Sequence, residues 1–240
     1  AGVSGNHSMH SLIKLLGVGI KEKPSVALIM HNINDLALLK KTGSYWNADS
    51  SQKLLIDQNS VKENPITIIS ILRYIKSILA PNLYGYLKVR LFPNFNPGYT
   101  SPNSKVALQK SRNFEESKVQ FKSSIVSFIE VCKAWNIEPI LLTQFNRIID
   151  GDRLLDQWVN MVLPKHGLTK KEFISHYQEF NEIVRVASYE NSVELIDLDN
   201  LIPKDPKYMY DIVHLNDEGS NLVAEILSSR LTDILRAQFP

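Results

Sequence analysis

The sequence predicts an α/β protein in which a mostly parallel sheet is covered by helices on both faces. Amphipathic helical stripes alternate along the chain with short apolar segments, which is typical of such a sheet. The first of these segments is branched and continuously apolar, as expected for a strand covered on both faces. Of the 240 residues, 44% are hydrophobic and 22% are charged, which fits one globular domain.

The first helix is predicted from apolar residues that recur at helical spacing near the start of the chain. These residues are Met9, Leu12, Ile13 and Leu16. Asn6 or Ser8 can cap this helix, and Gly17 and Gly19 loosen its end. Pro24 then precedes the first predicted strand, Val26–Met30.

Two more helix–strand pairs and a final helix follow after residue 110. Each helix is predicted from an apolar stripe. The stripes are Phe121, Ile125, Phe128, Ile129 and Cys132; Phe173, Tyr177, Phe180, Val184 and Ala187; and Leu222, Val223, Ile226, Leu227, Leu231, Ile234 and Leu235. Strands are predicted at 139–143 and 193–198, after the first and second of these helices. Asn216 or Asp217 is the expected cap of the last helix.

Residues 41–104 interrupt this alternation, so we predict a single domain over residues 1–240 with an insertion at about 41–104. Within it, residues 71–92 carry four basic side chains and no acidic one. An insertion packed on its own domain is the favoured interpretation. A lid over a cleft comes second, and a membrane-surface contact through 65–92 comes last.

Composition limits the partners and cofactors. A net charge of +2 gives no general electrostatic case for nucleic acid. The single cysteine, Cys132, excludes an intramolecular disulfide, and its place on an apolar helix face indicates a buried thiol. His7, His10, His31 and His214 match no established metal-site spacing, so neither a metal nor another cofactor is predicted.

The most informative stretch for function is the Asp211 to Gly219 segment before the last helix. An aspartate three residues ahead of a histidine on a loop can hold one imidazole nitrogen. The other nitrogen is then free to accept a proton from a nucleophile. Asp211 and His214 are therefore candidate catalytic residues, whereas the alternative is an ordinary surface-loop histidine.

Two earlier segments strengthen the catalytic interpretation: Gly5 near the start of the chain, and Asn34 in the Asn–Asp pair that follows Val26–Met30. In this order the three segments resemble the SGNH (GDSL) hydrolase superfamily. That family carries a nucleophilic serine in an N-terminal G-D-S block, a glycine after the second strand, an asparagine after the third and a D-x-x-H near the end.

The resemblance implies a flavodoxin-like, three-layer α/β/α fold and a Ser-His-Asp mechanism. In it, His214 is the base and Asp211 orients it. The backbone N–H of Gly5 and the side-chain amide of Asn34 are the oxyanion donors. Asp35 is expected to be a structural carboxylate bonded to nearby backbone. Residues 143–147 either touch substrate or form an ordinary polar turn.

The first block of the family is absent, because no G-D-S occurs in the sequence. The resemblance thus implies a fragment that lacks the first strand, most of the second and the nucleophilic serine, and that is inactive alone. The parent protein is expected to be an enzyme that cleaves a carboxylic (O-acyl) ester of a small molecule, carbohydrate or lipid. Acyl transfer to a carbohydrate by the same residues, or a non-catalytic binding module on this fold, are the alternatives.

Overall fold

The computed structural model describes residues 5–47, 114–148 and 168–238, together with the single residues Leu54, Asp156 and Leu163. By its contacts the chain divides into two units, Ala1–Leu54 with Ser111–Pro240, and Leu55–Lys110. All the described residues belong to the first unit. Most of the predicted insertion, including the basic segment 65–92, therefore lies outside the described residues.

Helices and strands alternate through the described part of the chain. The strands are β1 (Val26–Met30), β2 (Glu138–Leu142) and β3 (Glu194–Ile196). The α-helices are α1 (Ser8–Lys14), α2 (Ile33–Thr42), α3 (Phe114–Ala134), α4 (Lys170–Asn191), α5 (Leu198–Leu201) and α6 (Asp217–Gln238). A π-helical turn, Leu15–Gly19, and a 3-10 turn, Ile20–Glu22, prolong α1, and another 3-10 turn spans Tyr45–Asn47.

The three strands form one parallel sheet in the order β1-β2-β3, as the alternating pattern predicted. Leu28 of β1 lies opposite Ile140 of β2, and Ile140 lies opposite Glu194 of β3. Within the described residues β1 has a neighbouring strand on one side only. On this strand Leu28 and Met30 are 42% and 37% exposed.

Side chains of the sheet belong to two separate hydrophobic clusters, because successive side chains of a strand point in opposite directions. Ile29 and Leu141 belong to a hydrophobic cluster with residues of α1, α2, α3 and α4. Ile140, Leu142 and Ile196 belong to a second cluster with the apolar stripe of α6. The α/β class is thus confirmed.

The predicted apolar stripe of α3 is fully buried, including Cys132. Burial, with the nearby Glu138 carboxylate, raises the pKa of the Cys132 thiol to about 11. The thiol is therefore harder to ionise than a free one, and the prediction of a buried thiol is confirmed.

The start of the predicted insertion packs into the first unit. Helix α2 ends at Thr42, where Gly43 adopts a left-handed conformation, and Tyr45 is buried in the hydrophobic cluster. None of the helices described is long and apolar enough to cross a membrane.

Candidate functional site

The loop that carries Asp211 and His214 is closed at its base by an isolated antiparallel bridge between Met209 and Leu215. Inside the bridge, the Tyr210 N–H donates to the His214 carbonyl over 3.0 Å. These short-range bonds form a tight loop that fixes Asp211 and His214 relative to each other.

The predicted Asp–His pair is formed in the structure. His214 Nδ1 lies 2.7 Å from Asp211 Oδ2, and the N–H groups of His214 and Val213 donate to Oδ1 over 2.8 and 2.9 Å. Burial alone would raise the pKa of the Asp211 carboxyl, but bonds from Val213 and His214 outweigh it and hold the pKa below its usual value. An ionised carboxylate therefore faces Nδ1 at neutral pH.

The other ring nitrogen of His214 is open. The side chain is 63% exposed, and Nε2 has no hydrogen-bond partner among the residues that the structure describes. Tyr210, itself 61% exposed, stacks on the imidazole with ring centroids 5.6 Å apart and planes 9° apart. An incoming hydroxyl can therefore reach Nε2 beside an exposed aromatic ring.

The first turn of α6 packs directly against this loop. The Gly219 N–H donates to Asn216 Oδ1 over 2.9 Å, so Asn216 is the cap that the sequence predicted as one of two. A Cβ on Gly219 would lie 2.0 Å from the Tyr208 carbonyl oxygen. Glycine at this position is required because the helix start and the loop backbone are in direct contact.

The structure brings the two predicted oxyanion residues into adjacent positions. Asn34, in the first turn of α2, donates from Nδ2 to the Asn6 carbonyl over 2.8 Å, and Asn6 follows Gly5 directly. Gly5 adopts φ +78°, and among the described residues nothing lies within 4 Å of where its Cβ would be. The glycine is thus required for its left-handed backbone, and the space beside it is open.

Asp35 ties these two segments together. Its carboxylate is fully buried and accepts bonds from the Ser8 N–H (2.9 Å) and the Tyr45 hydroxyl (2.6 Å), as well as from the Ser8 hydroxyl. Burial and the Asp35 carboxylate raise the pKa of Tyr45, which keeps the phenol protonated as a donor. The prediction of a structural carboxylate bonded to nearby backbone is confirmed.

Asp35 also explains why the cap of α1 differs from expectation. The sequence suggested Asn6 or Ser8, but His7 occupies the N-cap position. Both the N–H and the hydroxyl of Ser8 are bonded to Asp35. A carboxylate 27 positions away therefore satisfies the first N–H of α1.

The loop after β2 is bonded to the start of α2 and to the loop that carries His214. Gln144 accepts the Ile33 N–H, at the start of α2, over 2.9 Å. Three residues later, Arg147 donates its backbone N–H to the Ile212 carbonyl and Nη1 to the Met209 carbonyl, each over 2.8 Å. This single loop contacts the segment carrying Asn34 and the loop carrying His214.

The side chains of residues 143–147 are largely structural. Thr143, Asn146 and Arg147 are buried, and Thr143 Oγ1 donates to Asp197 over 2.7 Å. Asp197 in turn pairs with Arg185 over 2.9 Å. A polar run placed directly after a buried strand was the signal for this role, although it did not show which partners the side chains would meet.

A cavity of about 290 Å³ opens beside β1 and the start of α2. Its polar lining comes from Asn6, Ser11, Lys14, His31, Asn34 and Gln144. Ser11 and His31 are residues that sequence reasoning missed. They are 20 positions apart, and the one signal for them is that His31 directly follows the predicted strand Val26–Met30.

No group of three or more His, Cys, Asp or Glu side chains is arranged to hold a metal ion within residues 5–47, 114–148 and 168–238. Comparison of the chain with protein-family models, curated proteins and solved structures gives no significant match.

Proposed function

We propose that the protein is an ester hydrolase of the SGNH (GDSL) type, with a three-layer α/β/α fold, acting on a carboxylic O-acyl ester. The observation that carries the proposal is the Asp211–His214 pair, whose 2.7 Å contact leaves Nε2 open. The adjacent positions of Gly5 and Asn34, each on the segment that the family pattern requires, support it.

In the proposed reaction, a serine hydroxyl attacks the ester carbonyl and gives its proton to His214 Nε2. The tetrahedral intermediate then collapses, the alcohol leaves with that proton, and water hydrolyses the acyl-serine by the same route. Asp211 holds the ring in the tautomer with Nδ1 protonated and stabilises the charged imidazolium.

The oxyanion that forms in each step needs donors that already point at it. Gly5 supplies a backbone N–H that has no partner among the described residues. Asn34 supplies its side-chain amide, because Nδ2 has two hydrogens and the Asn6 carbonyl takes one of them. Asn34 also lines the cavity of about 290 Å³.

The parallel sheet supports placing these parts in one crevice. Ligands of open α/β sheets bind beyond the carboxyl ends of the strands. Asn34 follows β1, residues 144–147 follow β2, and the latter contact both the start of α2 and the His214 loop. The exposed Tyr210 ring, stacked on His214, suits a sugar ring and so favours an acylated carbohydrate as substrate.

The proposal assigns the nucleophile to the serine of a G-D-S block, which these 240 residues do not contain. Within the described part of the chain, no serine hydroxyl is bonded to His214. Ester hydrolysis by the 240-residue chain above the level of its His214→Ala variant would contradict this assignment.

The main test is hydrolysis of p-nitrophenyl acetate by the natural full-length protein. We expect His214→Ala to abolish turnover, Asp211→Asn to lower kcat by ~10⁴, and Asn34→Ala to lower it by ~10²–10³. Asp217→Asn, an exposed carboxylate at the start of α6, is the matched control and should keep the wild-type rate. Turnover that survives His214→Ala would refute the role assigned to His214. An Asn34→Ala variant that binds substrate more weakly but keeps the full kcat would refute the role assigned to Asn34.

A further inference from the structure

Ser11 and His31 form a second hydroxyl–imidazole pair, separate from His214. Ser11 Oγ lies 2.7 Å from His31 Nε2, within the range at which a base can take a proton from a nucleophile. Ser11 lies on α1, and His31 is the first residue after β1. Both side chains line the cavity of about 290 Å³.

The surroundings of His31 favour the tautomer that a base needs. Asp35 Oδ2 lies 3.6 Å from His31 Nδ1, which places negative charge beside the nitrogen that must carry the proton. Burial lowers the pKa of His31 below its usual value; Asp35 opposes this shift and His10 adds to it. The ring is therefore neutral at pH 7, and Nε2 can accept the proton of Ser11.

The cavity runs along β1 and has a mostly polar lining. Residues 28–30 of β1 line one side of it, and Asn34 lines the same space. Asn32 lines it as well; this residue is buried, and its Oδ1 has no partner among the described residues.

We propose that Ser11 is a nucleophile activated by His31, able to accept a short acyl group from an ester or a phosphonyl group from an organophosphonate. The Ser11–His31 pair uses neither His214 nor a G-D-S serine. This nucleophile is therefore an activity beyond the function proposed above.

With a fluorophosphonate, the Ser11 oxygen forms a bond to phosphorus while the phosphorus–fluorine bond breaks. The hydroxyl proton passes to His31 Nε2, and fluoride leaves. With an ester, the oxygen bonds to the carbonyl carbon, the alcohol leaves with the proton returned by His31, and acyl-Ser11 is the end product, so this pair adds no turnover to the ester assay described above. No oxidant, reductant or metal is needed.

The test is labelling of the folded 240-residue chain with a fluorophosphonate, followed by mass spectrometry of tryptic peptide 1–14. We expect one adduct, assigned by fragmentation to Ser11 and not to the buried Ser8. Ser11→Ala should remove the label. His31→Gln, which keeps a polar side chain but no base, should slow labelling by ~10²–10⁴.

Ser175→Ala is the matched control, because Ser175 is an exposed helical serine bonded to Glu179 rather than to an imidazole. It should label like the wild type, and heat-denatured protein should not label. Circular dichroism confirms that each variant is folded. The adduct on the wild-type chain is measured without any substitution, so that result does not depend on the folding of a variant.

Absence of an adduct on Ser11, an adduct on a different serine, or equal rates for wild type and His31→Gln would each overturn the proposal. Each of the two proposals can be refuted without refuting the other. Unlabelled Ser11 together with His214-dependent ester hydrolysis by the natural protein refutes only the Ser11 nucleophile. Labelled Ser11 without such hydrolysis refutes only the SGNH function.

Discussion

Replacing Asp35 by alanine is expected to destabilise the protein more than any exposed carboxylate substitution. The carboxylate is fully buried and accepts bonds from the Ser8 N–H, the Ser8 hydroxyl and the Tyr45 hydroxyl. Its removal leaves the Ser8 N–H without its acceptor, whereas the Ser8 hydroxyl keeps the Tyr45 and Ser124 hydroxyls as partners at 3.0 and 2.5 Å. Leaving a buried donor unsatisfied costs ~1–3 kcal/mol, which we take as the expected loss.

This loss corresponds to a fall in Tm of ~2–12 °C, since 1 kcal/mol shifts Tm by ~2–4 °C in a protein of this size. The assay is urea and thermal unfolding followed by tryptophan fluorescence. Trp46 is a suitable reporter because its ring meets Tyr45 edge-on, with centroids 6.4 Å apart. Asp35→Asn keeps one acceptor oxygen and should lose roughly half as much.

The control is Asp233→Ala on the exposed side of α6, which should change the free energy of unfolding by less than ~0.5 kcal/mol. A loss below ~1 kcal/mol for Asp35→Ala would refute the reasoning, because a single unmade buried bond already costs that much. The same variant should also loosen the contact between the segments that carry Asn6 and Asn34, since Asp35 joins α1 to α2.

Three further predictions follow from other parts of the structure. Gly219→Ala should cost ~1–3 kcal/mol in urea unfolding, because the added Cβ meets the Tyr208 carbonyl at 2.0 Å; an unchanged midpoint would contradict the close contact. Burial alone would raise the pKa of Asp197, but bonds from Arg185 and Thr143 hold it below its usual value. Its stabilisation is therefore present above the unfolded-state pKa and is lost as pH falls through the folded-state pKa. Asp197→Asn should consequently cost most near pH 7, and its difference from wild type in urea titrations should shrink below pH ~4; a constant difference would contradict the pairing. Finally, β1 is an edge strand within the described residues, and its exposed Leu28 should promote self-association; Leu28→Lys should lower the mass measured by light scattering, and a monomeric wild type would contradict this.

The helices and strands whose apolar residues follow a regular local pattern were predictable from the sequence. The stripe of α3, the strand Val26–Met30 and the final helix all lie where periodicity placed them, because each depends on residues only a few positions apart. The Asp211–His214 contact was predictable for the same reason. Its two residues are three positions apart, and their loop is closed by bonds within residues 209–215.

Contacts between distant segments were decided by the tertiary structure. Asn34 meets Asn6 over 28 positions, and Ser11 meets His31 over 20, because α1 packs beside β1 and both α1 and α2 pack against α3. No motif encodes these distances. The cap of α1 shows the same effect, since Asp35 bonds both polar groups of Ser8 and leaves His7 at the N-cap.

The sequence by itself thus determined the α/β class, the parallel sheet and the Asp–His pair, because hydrophobic periodicity and short loops are local properties of a chain. Only the fold could show that the loop after β2 contacts both the start of α2 and the His214 loop. Only the fold could show the pairing of Ser11 with His31 in a cavity. These features depend on where the ends of separate strands and helices meet, which is fixed by packing of the whole core and by no single segment of the chain.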